Sequence, residues 1–204
     1  MEKFLVTIDG PSGVGKTSVG KSIAAIINSC FFSSGSIYRS VAKFLLNNIN
    51  VEIEDLKIEI ISEQCNVNGV IFDEEELYDN EVSVKSSEIA KKVGLRLLVK
   101  DCLISYFDNL DKPLVIEGRD MGSVVFPDAE YKVYLDADLE TRGKRREGQS
   151  NMEETVLDVK KRDFEDKNRV FSPLTIPEGA LVIDNSNLSI DETIELIIKN
   201  LKLR

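Results

Sequence analysis

The sequence predicts an α/β fold in which helices flank a parallel β-sheet. Five short apolar segments, rich in residues that favour strands, alternate with longer segments that have helical periodicity. Such short apolar runs are typical of strands buried on both faces, and their alternation with helices indicates a parallel sheet. The 204 residues are enough for one or two compact domains. We expect a single core domain that carries two appendages.

The first part of the chain contains two of the predicted strands. The run "KFLVTI" (3–8) predicts a buried strand that the following Asp-Gly pair ends, and "CFFSS" (30–34) predicts the second strand. Helices are predicted from Lys16 and over "SGSIYRSVAKFLLNN" (34–48). The apolar face of the first helix is predicted to consist of Val19, Ile23, Ile26, Ile27 and Cys30.

The middle of the chain interrupts this alternation. Residues 53–63 are predicted to be helical, and Asn68-Gly69 between strand-forming residues predicts a tight hairpin. Residues 82–110 predict either one long helix or two abutting helices. We therefore expect an insertion into the core over about residues 49–110.

The last part of the chain returns to the α/β pattern. Buried strands are predicted at 113–118, 131–137 and 180–186, and charged helices at 139–148 and 152–168. The final helix is predicted to bury one apolar face, which consists of Ile190, Ile194, Ile197, Ile198 and Leu201. The charged stretch at about 142–170 is expected to be the second appendage, so the core would comprise about 1–48, 111–141 and 171–204.

Composition excludes several classes of function. The net charge of −10 argues against a dedicated nucleic-acid-binding protein, which usually has a basic surface. The chain has no histidine, so a Ser/His nucleophile pair and a His-ligated metal site are both impossible. Its three cysteines have no metal or redox spacing and are expected to be reduced thiols. No apolar run is long enough to span a membrane, and Asp9 interrupts the first one, so we expect a cytoplasmic protein without a signal peptide or membrane association.

The clearest motif lies between the first strand and the first helix. Gly10-x4-Gly15-Lys16-Thr17 matches the pattern of a phosphate-binding loop. Glycines let backbone N–H groups wrap closely around a polyphosphate, and the helix directs its partial positive N-terminus at the same anion. Lys16 can bridge the terminal phosphates, and the Thr17 hydroxyl can ligate Mg²⁺. The motif therefore predicts binding of a nucleoside triphosphate.

The rest of the sequence narrows the class of nucleotide-binding protein. A GTPase would need a guanine-reading N-K-x-D motif, which is absent, and "DKNR" (166–169) does not match it. A large motor would need a longer chain. Small kinases that pass a phosphoryl group to a second bound molecule remain. Transfer between two phosphates needs positive charge more than acid–base catalysis, and the chain places its few arginines after predicted strands and in the charged appendage.

Several sequence runs resemble the bacterial cytidylate kinases, of the nucleoside monophosphate kinase group. The matching runs are "TIDGPSGVGKT", "SGSIYR", "EGRDMGSVVFPDA", "VYLDA", "KRDFEDKNR" and "IDNSNLSI", and they extend from residue 7 to about 190. The resemblance implies a five-stranded parallel sheet of order 2-3-1-4-5, with helices on both faces, an insertion that binds the nucleoside monophosphate, and a lid. It also implies transfer of the γ-phosphoryl group of ATP to CMP or dCMP, with Mg²⁺ as cofactor. We expect a monomer.

The resemblance also assigns roles to individual residues. ATP would be bound by Gly10, Pro11, Ser12, Gly13, Val14, Gly15, Lys16, Thr17 and Ser18, together with Arg142 and Arg145. CMP would be bound by Ser34, Arg39, Ser87, Arg96, Arg119, Asp120, Arg162, Asp166 and Arg169. The catalytic residues would be Lys16, Arg119, Arg142, Arg145 and Arg169, and the metal ligands Thr17 and Glu117. Arg145 or Arg146 would contact the transferring phosphate.

The sequence departs from the family pattern mainly where the acceptor would bind. Ser33 replaces an acid, Glu117 replaces an aspartate, and Tyr78 replaces an arginine. Leu103-Ile104 also replaces a Gln-Arg pair. A guanylate kinase is the alternative enzyme, but its arginine-rich acceptor stretch is missing from residues 18–60. A regulatory nucleotide-binding module that has lost catalysis is the alternative class, and the intact Lys16 and Thr17 argue against it.

Overall fold

The computed structural model describes residues 3–147 and 156–201. The strands in chain order are β1 (Leu5–Asp9), β2 (Cys30–Ser33), β3 (Ile58–Ile61), β4 (Gln64–Val67), β5 (Val70–Ile71), β6 (Leu114–Glu117), β7 (Tyr131–Asp136) and β8 (Leu181–Asp184). The helices are α1 (Lys16–Ile26), α2 (Ser34–Asn47), α3 (Glu74–Leu77), α4 (Asn80–Ile89), α5 (Val93–Asp108), α6 (Leu139–Glu147), α7 (Val156–Lys167) and α8 (Ile190–Leu201).

The chain forms two compact units. The larger takes in the described residues up to Phe32 and from Asp111 onward, and the smaller runs from Ser33 to Leu110. Within the described residues, no helix combines the length and the apolar character needed to cross a bilayer.

The larger unit is built on a five-stranded parallel sheet of order β2-β6-β1-β7-β8. When only the strands of this sheet are counted, that order is 2-3-1-4-5, so the expected α/β topology is confirmed. The central strand β1 pairs with β6 through Thr7 and Ile116, and with β7 through Val6 and Tyr131. All five residues of β1 are buried, as expected for a strand covered on both faces.

Helices α1 and α8 pack over one face of this sheet. Their buried side chains join Val6 and Ile8 of β1 in one hydrophobic cluster, which includes Val19, Ile23, Ile194 and Ile197. Thr7 points to the opposite face, since strand side chains alternate. There it faces a π-helical turn at Met121–Val125. Three positions of the predicted apolar faces are wrong. Ile26 is 56% exposed at the end of α1, and Ile190 is 50% exposed at the start of α8. Cys30 lies in strand β2, because α1 ends at Ile26.

The smaller unit combines four helices with an antiparallel sheet of order β3-β4-β5. The helix predicted over 53–63 is wrong, because this segment forms a 3₁₀ turn at Ile53–Asp55 followed by strand β3. Pairing with β4 decides the outcome: Ile58 opposes Val67, and Ile60 opposes Cys65. The predicted hairpin is confirmed, and Asn68 and Gly69 both have the positive φ that a two-residue hairpin turn requires.

The region 82–110 contains two abutting helices, α4 and α5. Helix α4 packs against α2, and α5 packs against β3. All three cysteines are free. Burial raises the pKa of the Cys65 thiol to about 12 and that of Cys102 to about 11. Both are therefore unreactive protonated thiols at neutral pH.

Candidate active site

The loop between β1 and α1 is packed so tightly that two of its positions require glycine. A Cβ atom on Gly10 would lie 2.1 Å from the carbonyl oxygen of Leu135 in β7. One on Gly13 would lie 2.6 Å from the carbonyl oxygen of Arg142 in α6. Both distances are far below a van der Waals contact. The bare backbone of the loop is therefore wedged against the neighbouring strand and helix.

The N-terminus of α1 is not capped by a side chain. Gly15 precedes the helix with no side-chain cap, and the first turn contains no acidic residue. The first N–H groups of a helix have no intrahelical partner and carry partial positive charge. This combination is suited to binding a phosphate.

Lys16, the first residue of α1, is buried beside this loop. Its ammonium group donates a hydrogen bond of 2.8 Å to the carbonyl oxygen of Pro11. Burial, followed by the positive charge of Arg119, lowers the pKa of Lys16 to about 7. A negative ligand at this position would raise the pKa again, because it favours the charged form.

Thr17 and Glu117 provide neighbouring oxygen atoms at the carboxyl edge of the sheet. The Thr17 hydroxyl donates to Glu117 Oε1 over 3.2 Å, and Glu117 is the last residue of β6. A hydroxyl and a carboxylate are ligands that suit Mg²⁺. In the part of the chain that the structure describes, no cluster of three or more His, Cys, Asp or Glu could hold a metal alone. The pair thus fits a Mg²⁺ ion whose other ligands come from phosphates and water.

Asp9, which was not predicted as a site residue, anchors the turn after β6. Its two carboxylate oxygens accept hydrogen bonds from the backbone N–H groups of Met121, at 2.8 Å, and Gly122, at 2.7 Å. Burial raises the pKa of Asp9 to about 6 although these two bonds oppose the shift. The bonds fix the backbone next to Arg119 and Asp120. Asp120 is itself buried, with only 4% of its surface exposed.

A carboxylate of α7 holds two of the predicted site arginines together. Asp166 Oδ2 accepts from Arg119 Nε at 2.9 Å, and Asp166 Oδ1 lies 3.3 Å from Arg169 Nη1. Arg162, also in α7, is half-buried. Two guanidinium groups converge on one carboxylate, so the structure forms a cationic cluster next to the turn that follows β6.

Arg142 contacts the phosphate loop both directly and through the carboxylate of Asp163. It donates from Nε to the carbonyl oxygen of Ala137 at 2.9 Å and from Nη1 to that of Ser12 at 3.2 Å. It also forms a buried ion pair with Asp163, which accepts from the Ser12 N–H at 3.3 Å. Asp163 was not predicted as a site residue, although it lies in a matching run. Arg142 and Asp163 together connect α6, α7 and the loop.

Arg145 lines a cavity of about 240 Å³ beside the loop. It donates to both the side chain and the backbone oxygen of Asn185 at 2.9 Å, and Asn185 Nδ2 donates to the carbonyl oxygen of Val14 at 2.9 Å. Asn185 was also missed by the sequence analysis. The residues that line the cavity include Val14, Gly15, Ser18, Arg145, Asn185 and Thr193.

The smaller unit brings together two of its predicted site residues. Arg39 donates to Ser83 Oγ at 2.8 Å and to the carbonyl oxygen of Leu77 at 3.0 Å. The Ser87 hydroxyl donates to the carbonyl oxygen of the same Ser83 at 3.1 Å. Tyr78, which departs from the family pattern, lies under the Arg39 guanidinium at 4.7 Å from the ring centroid. Where the family pattern has an arginine, Tyr78 thus provides an aromatic ring that forms a cation–π contact with Arg39.

The other two predicted site residues of this unit, Arg96 and Ser34, are both buried. Arg96, buried in α5, donates to the carbonyl oxygen of Ala90 at 3.1 Å, and its guanidinium lies 5.6 Å from the centroid of the Tyr38 ring. Ser34 is the first residue of α2 and is buried.

Solved structures of other kinases share this fold. The chain is similar to a gluconokinase from Sinorhizobium meliloti, with a TM-score of 0.57 and 12% identity over 98% of this chain and 94% of that one. It is also similar to a shikimate kinase from Acinetobacter baumannii, with a TM-score of 0.52 and 16% identity over 98% and 92%. At these identities the similarity establishes the architecture alone.

Sequence relatives are more specific. A cytidylate kinase from Caldanaerobacter subterraneus subsp. tengcongensis is 34% identical, over 97% of this chain and 94% of that protein. One from Clostridioides difficile is 33% identical over the whole of both chains. The model of the cytidylate kinase family matches residues 6–203. The matched region contains the phosphate loop and the arginine cluster described above, and the chain belongs to the cytidylate kinase family.

Proposed function

We propose that this chain transfers the γ-phosphoryl group of ATP to CMP or dCMP, giving ADP and CDP or dCDP. The observation that carries the proposal is the burial of Lys16 against the phosphate loop, within electrostatic range of Arg119. Arg119 in turn pairs with Asp166, which also holds Arg169. Transfer between two phosphates needs one site for each anion and cations between them. Membership of the family supplies the identity of the acceptor.

The donor ATP would bind at the loop and the adjoining cavity. The backbone N–H groups between Gly10 and Ser18 would hold its phosphates, and Lys16 would bridge the terminal two. The cavity of about 240 Å³ beside Val14 and Arg145 would accept the adenosine end. Arg142 is fixed to the loop by its bond to Ser12, which supports a role for this arginine on the donor side.

Thr17 and Glu117 would hold the Mg²⁺ that accompanies ATP. Mg²⁺ usually takes one or two protein oxygens and fills its other positions with phosphate and water, and the Thr17–Glu117 pair has that character. When bound, the ion neutralises charge on the transferring phosphates.

We assign the binding of the acceptor CMP to the residues that the family resemblance implies within each unit. In the larger unit, these would be Arg119, Asp120, Arg162, Asp166 and Arg169. In the smaller unit, they would be Ser34, Arg39, Ser87 and Arg96. Arg39, Arg119 and Arg169 would grip the acceptor phosphate, Arg162 and Asp166 the sugar, and Ser87, Arg96 and Asp120 the base. Arginine suits the first of these roles because its planar fork matches the geometry of a phosphate.

The mechanism we propose relies on positioning and positive charge. The attacking oxygen belongs to a phosphate that is already an anion, so no general base is required. This agrees with the absence of histidine from the chain. The polyphosphate would keep Lys16 protonated in the complex, where Lys16, Arg119 and Arg169 would stabilise the charge that spreads over the transferring group.

Two segments would move or adapt around the substrates. We assign residues 49–110 to the binding of the monophosphate and residues 142–170 to a lid that excludes water during transfer. Of the lid, residues 148–155 lie outside the described part of the chain. We also propose that the enzyme is a monomer and works in the cytoplasm, where both of its substrates are metabolised.

A coupled assay of ADP release tests the proposal. Mg·ATP would be combined in turn with CMP, dCMP, UMP, AMP and GMP. We expect CMP to be the best acceptor and AMP and GMP to be poor ones. Faster turnover of GMP than of CMP would contradict the acceptor assignment. ATP binding without CMP-dependent ADP release would instead indicate a nucleotide-binding module without catalysis.

A further inference from the structure

We infer that Asn185 is a positioning residue for ATP, which acts through the phosphate loop and through Arg145. The inference rests on the proposed binding of ATP at that loop. Asn185 directly follows β8 and is only 3% exposed. It therefore lies at the carboxyl end of a parallel strand, the edge at which open α/β sheets bind their ligands.

The side chain of Asn185 fixes the orientation of one peptide of the loop. Its Nδ2 group donates to the carbonyl oxygen of Val14 at 2.9 Å. The peptide that joins Val14 to Gly15 is trans, and in a trans peptide the C=O and N–H groups point in opposite directions. A Val14 carbonyl held toward Asn185 thus turns the Gly15 N–H away from Asn185. That N–H directly precedes the uncapped N-terminus of α1.

The same residue holds the guanidinium of Arg145 at two points. Arg145 Nη1 donates to Asn185 Oδ1, and Nη2 donates to the backbone oxygen of Asn185, both at 2.9 Å. Two parallel bonds of this kind restrict rotation as well as position. The guanidinium is thereby fixed on the wall of the cavity of about 240 Å³.

The amide of Asn185 satisfies both partners, because it carries a donor and an acceptor. Asn185 must donate to Val14 and accept from Arg145, and its backbone N–H is already committed to the carbonyl oxygen of Asp136 at 2.8 Å. An aspartate would keep the acceptor but lose the donor, and an apolar side chain would lose both. The Asn185 side chain consequently fixes the orientation of both the Gly15 N–H and the Arg145 guanidinium.

The test compares Asn185→Ala and Asn185→Asp with the wild-type enzyme. Calorimetry would measure the affinity for Mg·ATP without CMP, and kinetics would give the KM for each substrate. We expect Asn185→Ala to weaken ATP binding and raise the KM for ATP on the order of tenfold, since it removes the two side-chain hydrogen bonds that orient the loop and Arg145. The KM for CMP should stay near its wild-type value. Asn185→Asp should be at least as damaging, because it places a carboxylate oxygen against the Val14 carbonyl.

Asn187→Ala is the matched control, since Asn187 is exposed two residues further along the chain. It should bind ATP like the wild type. A double-mutant cycle with Arg145→Ala should give a combined loss smaller than the product of the separate losses. If Asn185→Ala does not fold, the isosteric Asn185→Asp provides the comparison.

Two results would overturn the inference: an unchanged affinity for ATP in both variants, or a parallel rise of both KM values. If the wild type itself releases no ADP in response to CMP, the proposed function fails. If the wild type is active but both Asn185 variants bind ATP normally, only the present inference fails.

Discussion

Arg119 and Asp166 form a direct ion pair, with 2.9 Å between Arg119 Nε and Asp166 Oδ2. The pair joins the turn after β6 to helix α7. These two segments supply the residues of the larger unit that we assign to CMP, except Arg169, which lies two residues beyond the end of α7. The two segments are thus held in register before any substrate binds.

Replacement of Arg119 by alanine should damage both CMP binding and turnover. It removes a guanidinium that we place on the acceptor phosphate, and it leaves Asp166 with one fewer cation. Hydrogen bonds to charged groups contribute about 1.5–3 kcal/mol, so kcat/KM for CMP should fall roughly 10- to 200-fold. Steady-state kinetics would measure this, with Lys161→Ala on the exposed surface of α7 as control. An unchanged affinity for CMP would contradict the assignment of Arg119.

Replacement of Lys16 by alanine should instead act on turnover. Lys16 would serve the charge that develops between the β- and γ-phosphates, so its loss should lower kcat by at least about 100-fold while CMP still binds. Single-turnover kinetics and CMP titration by calorimetry would separate the two effects. Lys21→Ala, at an exposed position of the same helix, should leave both unchanged. A Lys16 variant with normal kcat would remove this residue from the mechanism.

Asp9 should make the pH dependence of stability of the wild type different from that of the Asp9→Asn variant. Burial raises the pKa of Asp9 from 3.8 to about 6, with Asp120 raising it and Lys16 lowering it as charged neighbours. The folded state therefore binds more protons than the unfolded state across this window, so this group's contribution to stability falls as pH rises from about 4 to 6.

Urea denaturation of the wild type and Asp9→Asn at several pH values would measure this difference. The free energy of unfolding of the wild type should fall relative to that of the variant over this range. The slope of this difference against pH should correspond to at most about one proton. Parallel curves for the two proteins would show that Asp9 titrates at its ordinary pKa.

Helices α6 and α7 should become protected from hydrogen exchange when both substrate sites are filled. A lid that closes reduces the opening of its own backbone hydrogen bonds. Exchange of residues 139–147 and 156–167 should slow on binding of a bisubstrate analogue that spans the ATP and CMP sites. Slowed exchange confined to the loop near Gly10 would show that α6 and α7 do not close over the substrates.

Asp120→Asn should reduce the preference for cytosine over uracil. The carboxylate would accept from the N4 amino group of cytosine, while Arg96 would donate to the acceptors N3 and O2. Uracil presents a carbonyl at position 4 and a proton at N3. Such a polar contact discriminates by about 1–3 kcal/mol. The variant should lower kcat/KM for CMP and shrink the CMP-to-UMP ratio. Equal losses for both substrates would show that Asp120 does not contact the base.

The sheet of the larger unit was predictable because its strands are short, apolar and separated by helices. Segment 53–63 was not, since its apolar residues suit a helix and a strand equally well. Its conformation depends on the pairing of Ile58 with Val67, nine residues away, which no local pattern records.

Motifs identified the loop and the arginines of the site but not the residues that hold them. Asp9, Asp163 and Asn185 act through hydrogen bonds to backbone groups that are distant in sequence. The available signal was position, because Asp9 ends β1 and Asn185 follows β8 at the carboxyl edge of the sheet.

Two glycines of the phosphate loop should respond differently to a genetic selection. A side chain on Gly13 would collide with the backbone of α6, whereas nothing lies within 4 Å of a Cβ atom on Gly15. The constraint at Gly15 is its φ of 86°, a conformation that asparagine tolerates better than other residues with side chains. A library randomised at both codons and selected for growth should therefore return glycine at position 13 and admit occasional asparagine at position 15.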